Sequence, residues 1–254
     1  MSKTPRITLF IIAKNEERRI APCILSARDI VTEIIVIDSN STDKTELVCR
    51  DLGAQVYKRE FDGFTNQKNF ALSKVTGDWA LNLDADERLS PALKEEILQA
   101  VTRPDIAGYY LPFSNYFLGK KMRFSGLNKE KHLRLVRPKK SHYVGGLVHE
   151  GLKVEGPLGT LHHAVEHYSY DSIESYFTKF NKYTSLAAEQ LFKDGKRFCL
   201  LKVLVTLPFE FFKRYFLKLG ILDGFNGLLW ASFSTYYVFV KYAKLWQLEQ
   251  ENLK

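Results

Sequence analysis

Cysteine is scarce in this chain. Only three occur, Cys23, Cys49 and Cys199, too few and too scattered for a disulfide scaffold or a thiolate metal site. Each is expected to be a small, buried or half-buried thiol in a reducing compartment. No Gly-x-Gly-x-x-Gly follows the first apolar run and no Walker sequence occurs anywhere, which excludes the usual dinucleotide fold and the P-loop. Met1 to Arg6 lead straight into a strand pattern, without the charged, apolar and cleavage segments of a secretory leader. Internal repeats, low-complexity tracts and long linkers are lacking too. Gly224 to Val240 has no charge, but it carries Asn226, Ser232, Ser234 and Thr235 and falls short of the about 20 apolar residues of a confident membrane span.

What is present bounds the class. The chain has 254 residues, 45% of them hydrophobic, enough for one large domain or one domain with an appendage. The formal net charge of +8 asks for an anionic partner: nucleic acid, anionic lipid or a phosphorylated substrate. No interleaved aromatic and basic recognition motif appears, so nucleic acid is set aside.

Apolar runs alternate with helical patterns through the first hundred residues. Ile7 to Ala13 and Glu33 to Asp38 read as buried parallel strands, Ala54 to Tyr57 as a third and Trp79 to Leu83 as a fourth. Helices are expected over Arg18–Ala27, from near Lys44, over Phe64–Val75 and over Pro91–Val101. The fold class is therefore α/β, a mostly parallel sheet with helices on both faces. From Gly108 the texture changes. Tyr109–Phe113 and His132–Arg137 look like strands of a mixed or antiparallel extension. A long helix is expected from Ser172, with Ile173, Tyr176, Phe177, Phe180 and Tyr183 on one side.

The chemistry concentrates at strand ends. Asp84, Asp86 and Glu87 follow the fourth strand where the chain leaves the sheet, and open α/β sheets bind ligands at the carboxyl ends of their strands. Two aspartates one residue apart can share a divalent cation, which carboxylates and substrate phosphates hold together. A bare Asp-x-Asp is also a common solvated turn. Asp38 ends the second strand and either meets a ligand or caps the next helix. Glu16 follows the first strand and either lies near a nucleotide or serves as a helix N-terminal acid. Lys68 lies on the helix before the central strand and either reaches the substrate or is an ordinary exposed helix lysine. Arg134 and Arg137 are read as alternating on one strand face, suited to a diphosphate or an acidic acceptor. His162, His163 and His167 cluster around Glu166, but neither a cysteine nor a second acidic pair completes a metal site; they are taken as strand-face or acceptor-side residues.

Lys14-Asn15-Glu16, Asp38-Ser39-Asn40-Ser41-Thr42-Asp43 and Gly77-Asp78 through Asp84-Ala85-Asp86-Glu87, in this order and at these intervals, resemble the nucleotide-binding and Asp-x-Asp segments of inverting family 2 glycosyltransferases. The resemblance covers roughly residues 5–170. The remainder, with Lys179–Tyr183 and Gly220–Gly224, is similar to a narrower branch, bacterial lipopolysaccharide core-biosynthesis enzymes that add a β-1,4-linked glucose to an inner-core heptose. It implies a GT-A fold over residues 1–170, a UDP-sugar donor, a divalent metal (Mg²⁺ or Mn²⁺) and inversion at the anomeric carbon. It implies that Asp86 and Asp84 bind metal and ribose, that Asp38 reads the uracil and that Glu16 lies near the nucleotide. The family's base is a carboxylate late in the catalytic domain, usually in a Glu-Asp pair. That pair is missing here, and the matching place is His149-Glu150, with Glu150 as base and His149 as its alternative or its orienting partner.

Residues 171–254 mix long apolar runs with Lys202, Lys213, Arg214 and Lys218. They read as a helical, amphipathic extension lying on an anionic membrane surface, with a greasy soluble cap as the other reading. The expected protein is a peripheral enzyme on the cytoplasmic face of the membrane, acting on lipopolysaccharide core or another lipid-linked acceptor. A polyprenyl phosphate acceptor and a non-catalytic membrane-binding module are the alternatives.

Overall fold

A computed structural model describes residues 4–127, 130–145 and 150–252, with only the backbone at Glu150. The chain divides into two compact units. One takes in the chain up to Phe113 together with Glu130–His167, and the other takes in Ser114–Lys129 and Tyr168–Lys254. Residues 114–129 thus cluster with the C-terminal helices, which no composition change in the sequence announces.

The first unit is an α/β sheet. Its strands β1 (Ile7–Ala13), β2 (Glu33–Asp38), β3 (Gln55–Lys58) and β4 (Trp79–Asn82) are parallel in the order β3-β2-β1-β4, and antiparallel β8 (Lys131–Val136) and β6 (Gly108–Phe117) extend it beyond β4. Short β11 (Leu158–Thr160) also pairs with β6, and within the second unit β7 (Lys120–Lys121) pairs with the end of β6 at Tyr116 and Phe117. Helices α1 (Ile20–Ala27), α2 (Thr45–Asp51), α3 (Phe64–Lys74) and α4 (Pro91–Ala100) link the early strands. Period two sorts the strand residues. Ile7, Leu9, Ile11, Val36, Trp79 and Leu81 enter one apolar core with α1 and α4. Phe10, Ile35, Ile37 and Ala80 enter the other, with Ala71 and Leu72 of α3. Strands buried on both faces read as continuous apolar runs for this reason.

Local chemistry sets the edges. Ser90 caps α4 by accepting from the Leu93 N–H, with Pro91 in the first turn. Gly77 precedes β4 because a Cβ there would lie 2.7 Å from Thr8 Oγ1 and 2.9 Å from the Arg6 carbonyl. Two further pairings have no local signal. β5 (Glu87–Leu89) pairs with β12 (Val165–Tyr170), aligning Glu87 with His167. A separate hairpin pairs β9 (Ser141–Gly145) with β10 (Glu150–Val154).

The second unit is mostly helical: α5 (Ile173–Lys193), α6 (Leu200–Phe212) and α7 (Phe225–Glu251). The capping box of Ser172 and Ser175 starts α5. Its buried stripe is Tyr176, Phe180, Thr184 and Ala188, whereas Ile173, Phe177 and Tyr183 are exposed. The expected stripe thus holds only in part, since aromatic identity alone does not set the facing partner. Between α6 and α7, Asp223 is buried and accepts the backbone N–H groups of Arg123 and Phe124, each at 3.0 Å. Gly227 admits no side chain, for its Cβ would fall 1.8 Å from the Gly220 carbonyl oxygen. Among the described residues, no helix is long and apolar enough to cross a membrane. Cys23 and Cys49 are buried as expected, but Cys199, just before α6, is exposed.

Candidate active site

The strand order reverses direction between β1 and β4: β2 and β3 lie to one side of β1 and β4 to the other. Loops from such a switch point diverge and leave a crevice at the carboxyl ends of the strands. The charged groups singled out at the ends of β1, β2 and β4 come to this edge.

The loops after β1 and β2 are laced together. Asn15 has φ +57°; its N–H donates to Ser41 Oγ at 2.9 Å, and its Oδ1 accepts the Thr42 N–H at 2.8 Å. The Glu16 N–H donates to Thr45 Oγ1 at 2.8 Å, the Glu17 N–H to Asp43 Oδ2 at 3.2 Å, and the Lys44 N–H to Glu17 Oε2 at 3.0 Å. Asp38 is fully buried and accepts from the N–H and the hydroxyl of Ser41. The carboxylate therefore organises its own loop, the turn-forming role of an Asx residue. Beside it, buried Gln67 donates to Ser39 Oγ at 3.2 Å, while its Oε1 has no hydrogen-bond partner among the described residues.

Beyond β4 the carboxylates separate. Arg134, on β8, is buried and forks between three acceptors: Asn82 Oδ1 at 2.8 Å, Asp84 Oδ2 at 2.8 Å and Glu87 Oε1 at 2.5 Å. Asn82 Oδ1 also accepts from the Tyr143 hydroxyl at 3.3 Å. Lys68 is buried, its Nζ 5.5 Å from the Tyr143 ring centre. The protein packed around Asp84 disfavours its charge, although 43% of the side-chain surface stays open; Arg134 and then Lys68 outweigh this and hold the carboxyl well below the usual carboxylate range. Burial pushes the Glu87 carboxyl up, with Arg134 pulling the other way. A buried guanidinium of this kind orients the carboxylates it pairs with more surely than it adds stability.

Asp86 turns elsewhere. Its Oδ1 lies 3.5 Å from His167 Nε2 and its Oδ2 lies 4.0 Å from Arg19 Nη1. Burial lowers the His167 pKa, but the hydrogen bond and charge of Asp86 overcome it, so the imidazole titrates above its ordinary value. Asp84, expected to share a metal with Asp86, instead commits one oxygen to Arg134. The group that the fold brings to Asp86 is His167, which the sequence reading takes as a strand-face or acceptor-side residue. Nothing local in the sequence signals this role, because the pairing of β12 with β5 joins segments some eighty residues apart.

The remaining expectations divide as follows. Arg137 does not reach this cluster: its guanidinium donates to the carbonyls of Ile106 at 2.9 Å and Arg103 at 3.1 Å and lies over Trp79. A spacing of three in an extended chain puts Arg134 and Arg137 on opposite faces, so one strand face cannot present both. His162 and His163 both engage Glu96 on α4 through backbone N–H groups and Nδ1. Glu16 sits in the laced loop. Glu150 opens β10 opposite Gly145, its side chain lying outside the described structure, and His149 lies outside the described residues. Asn82 and Tyr143 are site residues to which the sequence pattern assigns no role; Glu87 is read only as part of the carboxylate cluster after the fourth strand, and His167 as a strand-face or acceptor-side residue.

Among the described residues no three histidine, cysteine or acidic side chains converge as a complete cage, and Asp86 with His167 supplies an oxygen and a nitrogen donor side by side. A cation held by so few protein groups takes its remaining ligands from water and from a diphosphate.

The comparisons decide the family. The model described as Glycosyl transferase family 2 matches residues 8–148. The chain belongs to glycosyl transferase family 2. A Rickettsia felis protein described as an uncharacterized glycosyltransferase is 34% identical over 94% of this chain and 89% of its own. The lipopolysaccharide core biosynthesis glycosyltransferase LpsC of Rhizobium meliloti is 32% identical over 95% of this chain and 92% of its own. Among solved structures, Mycobacterium tuberculosis glucosyl-3-phosphoglycerate synthase with Mn²⁺, UDP and glucosyl-3-phosphoglycerate is 26% identical over 44% of each chain, with a TM-score of 0.37. The family is one of GT-A folds, and the parallel β3-β2-β1-β4 core with its antiparallel extension agrees with that architecture. The protein is a glycosyltransferase, as the resemblance of its motifs implies.

Proposed function

We propose that this glycosyltransferase moves glucose, with inversion, from UDP-glucose to an inner-core heptose of lipopolysaccharide, as a peripheral protein on the cytoplasmic face of the membrane. The observation that carries the reading is the cluster at the switch point, where Arg134 orients Asp84 and His167 meets Asp86. The full-length likeness to a lipopolysaccharide core glycosyltransferase supports the acceptor class.

In this reading Asp38 serves the uracil subsite through the loop it organises, and Asp84 accepts from the ribose. Asp86 and His167 would hold a Mg²⁺ or Mn²⁺ ion, which would neutralise charge on the diphosphate leaving group. Lys68 adds a positive charge to the same crevice. Glu150 takes the proton of the acceptor hydroxyl as its oxygen bonds to the anomeric carbon, and the bond from that carbon to the diphosphate oxygen breaks. Residues 1–170 form the catalytic region and 171–254 the membrane-associating region.

The test is UDP release by the purified protein with Mg²⁺ or Mn²⁺, a panel of UDP-sugars and heptose-terminated core lipopolysaccharide. Acceptor-dependent release from UDP-glucose, lost in Asp86→Ala, His167→Ala and Glu150→Gln, is the expected result. Full activity of Glu150→Gln moves the base to another group, with His149 tested next. Turnover only with a polyprenyl phosphate acceptor replaces the acceptor class.

A further inference from the structure

The second unit leaves a long apolar surface uncovered. Only Val203 is buried along α6. Leu201, Leu204, Val205, Phe209, Phe212 and Phe216 follow one another at short, mostly three- and four-residue steps, each between 46% and 71% exposed. Leu217, Leu219, Ile221, Leu222 and Phe225 continue the exposed run through the turn into α7. Monomers rarely expose contiguous apolar patches above about 300–600 Å², and eleven large side chains at this exposure exceed that.

The charge around the patch has one sign. Residues 196–225 carry six basic side chains (Lys196, Arg197, Lys202, Lys213, Arg214 and Lys218) and two acidic ones. Neither acid opposes an anion: Glu210 is paired with Arg214 at 2.6 Å and Lys213 at 3.6 Å, and Asp223 is buried under backbone N–H donors. A second copy docked on this face through a two-fold axis would bring like charges together. An anionic lipid leaflet would meet both features, apolar side chains in its acyl region and lysines at its phosphates.

The stripe also opens into a groove. Between α6 and α7 lies a cavity of about 750 Å³ whose lining includes Leu207, Phe211, Phe212, Phe216, Tyr236 and Phe239. It is open along its length and almost wholly apolar, the shape and chemistry of a hydrocarbon chain lying along a helix pair.

We propose that α6 and the turn after it insert into the outer layer of an anionic phospholipid leaflet, with one acyl chain entering the groove between α6 and α7. The proposal deepens the function proposed above by naming the lipid-facing surface, and it rests on that reading for the lipid nature of the acceptor. Its test needs neither sugar donor nor acceptor, so the two readings fail separately.

The experiment is flotation of the full chain with vesicles of phosphatidylcholine alone or mixed with phosphatidylglycerol, alongside Phe209→Trp as a fluorescent reporter. Binding to the anionic vesicles only, weakened at high salt, is expected, with the indole emission of the Phe209→Trp variant blue-shifted and quenched by brominated acyl chains. Leu204→Asp with Phe209→Asp should lower binding more than tenfold, Lys202→Glu about tenfold, and Leu47→Asp, an exposed leucine on α2, not at all. Phe239→Trp places a second reporter in the groove, quenched by bromines near the chain end. A native melting profile accompanies each variant. No reporter shift with anionic vesicles in the folded protein overturns the proposal. So does a dimer in sedimentation that Leu204→Asp disperses, which would give the face to a second copy.

Discussion

The two units of this molecule depart from ordinary burial in opposite directions. The sheet unit buries charge: Asp38, Glu87 and Arg134 are buried, and so is the polar Asn82. The helical unit exposes grease: Leu201 is 71% and Phe225 69% open to solvent. A buried polar group and an exposed apolar patch are the two informative exceptions to the rule that apolar residues go inside. Each costs stability unless something compensates, and each therefore marks where the protein meets something else. In the sheet unit the compensation is internal, an arginine shared by three acceptors, and what remains open is part of Asp84 and Asp86. In the helical unit α7 covers Val203, and no described residue of that unit covers the outward face of α6.

The sharpest way to break the comparison is at the catalytic end. Asp86→Ala should lower transfer by about 10³-fold or more, the scale on which loss of leaving-group stabilisation is felt. UDP release checks it, with calorimetry on the same sample showing that the variant is folded. Next in size is Arg134→Leu, which strands Glu87 and Asp84 without their cation. Removing one member of a buried ionic group costs about 3–5 kcal/mol, readable in urea unfolding. Combining it with Glu87→Leu should recover part of the loss.

A matched pair of leucines sharpens the contrast further. Leu81→Ala, in the fully buried strand β4, should cost about 2–5 kcal/mol. Leu201→Ala, on the open face of α6, should cost less than about 0.5 kcal/mol. Equal costs would mean that α6 is covered in solution. The last and smallest effect within the sheet unit concerns Glu96. Burial opposes its charge, but the N–H groups and imidazoles of His162 and His163 hold it down, to about 2 from an ordinary 4.5. A carboxyl whose folded pKa is depressed contributes stability above its unfolded pKa and loses it as pH falls through the folded one. Its contribution should therefore be whole above roughly pH 5 and gone below about pH 2. Glu96→Gln should cost about 1–3 kcal/mol at neutral pH and flatten the acid limb of the stability curve.

Much of the sheet unit is legible because its signals are local. Strands buried on both faces show as apolar runs, turns show as Gly77-Asp78 or Ser39–Asp43, and the carboxyl end of a parallel strand is a place where function collects. Asp84, Asp86 and Asp38 are singled out this way. Arg137 is misplaced when a spacing of three is treated as one strand face. Asn82, Tyr143 and His167 escape because their roles depend on which strands lie side by side. Asn82 reads as one more buried strand position until Arg134 and Tyr143 reach it from β8 and β9.

By itself the sequence determined the α/β class, the order of the first four strands along the chain, the carboxylate-rich strand ends and the basic, apolar character of the last quarter. These follow from period, propensity and charge, which neighbouring residues settle among themselves. Only the tertiary structure decided that β4 lies on the far side of β1, that Arg134 claims Asp84, that His167 stands beside Asp86 and that α6 buries little but Val203. Those outcomes join residues tens of positions apart, and backbone pairing and side-chain packing select among contacts that no local pattern distinguishes.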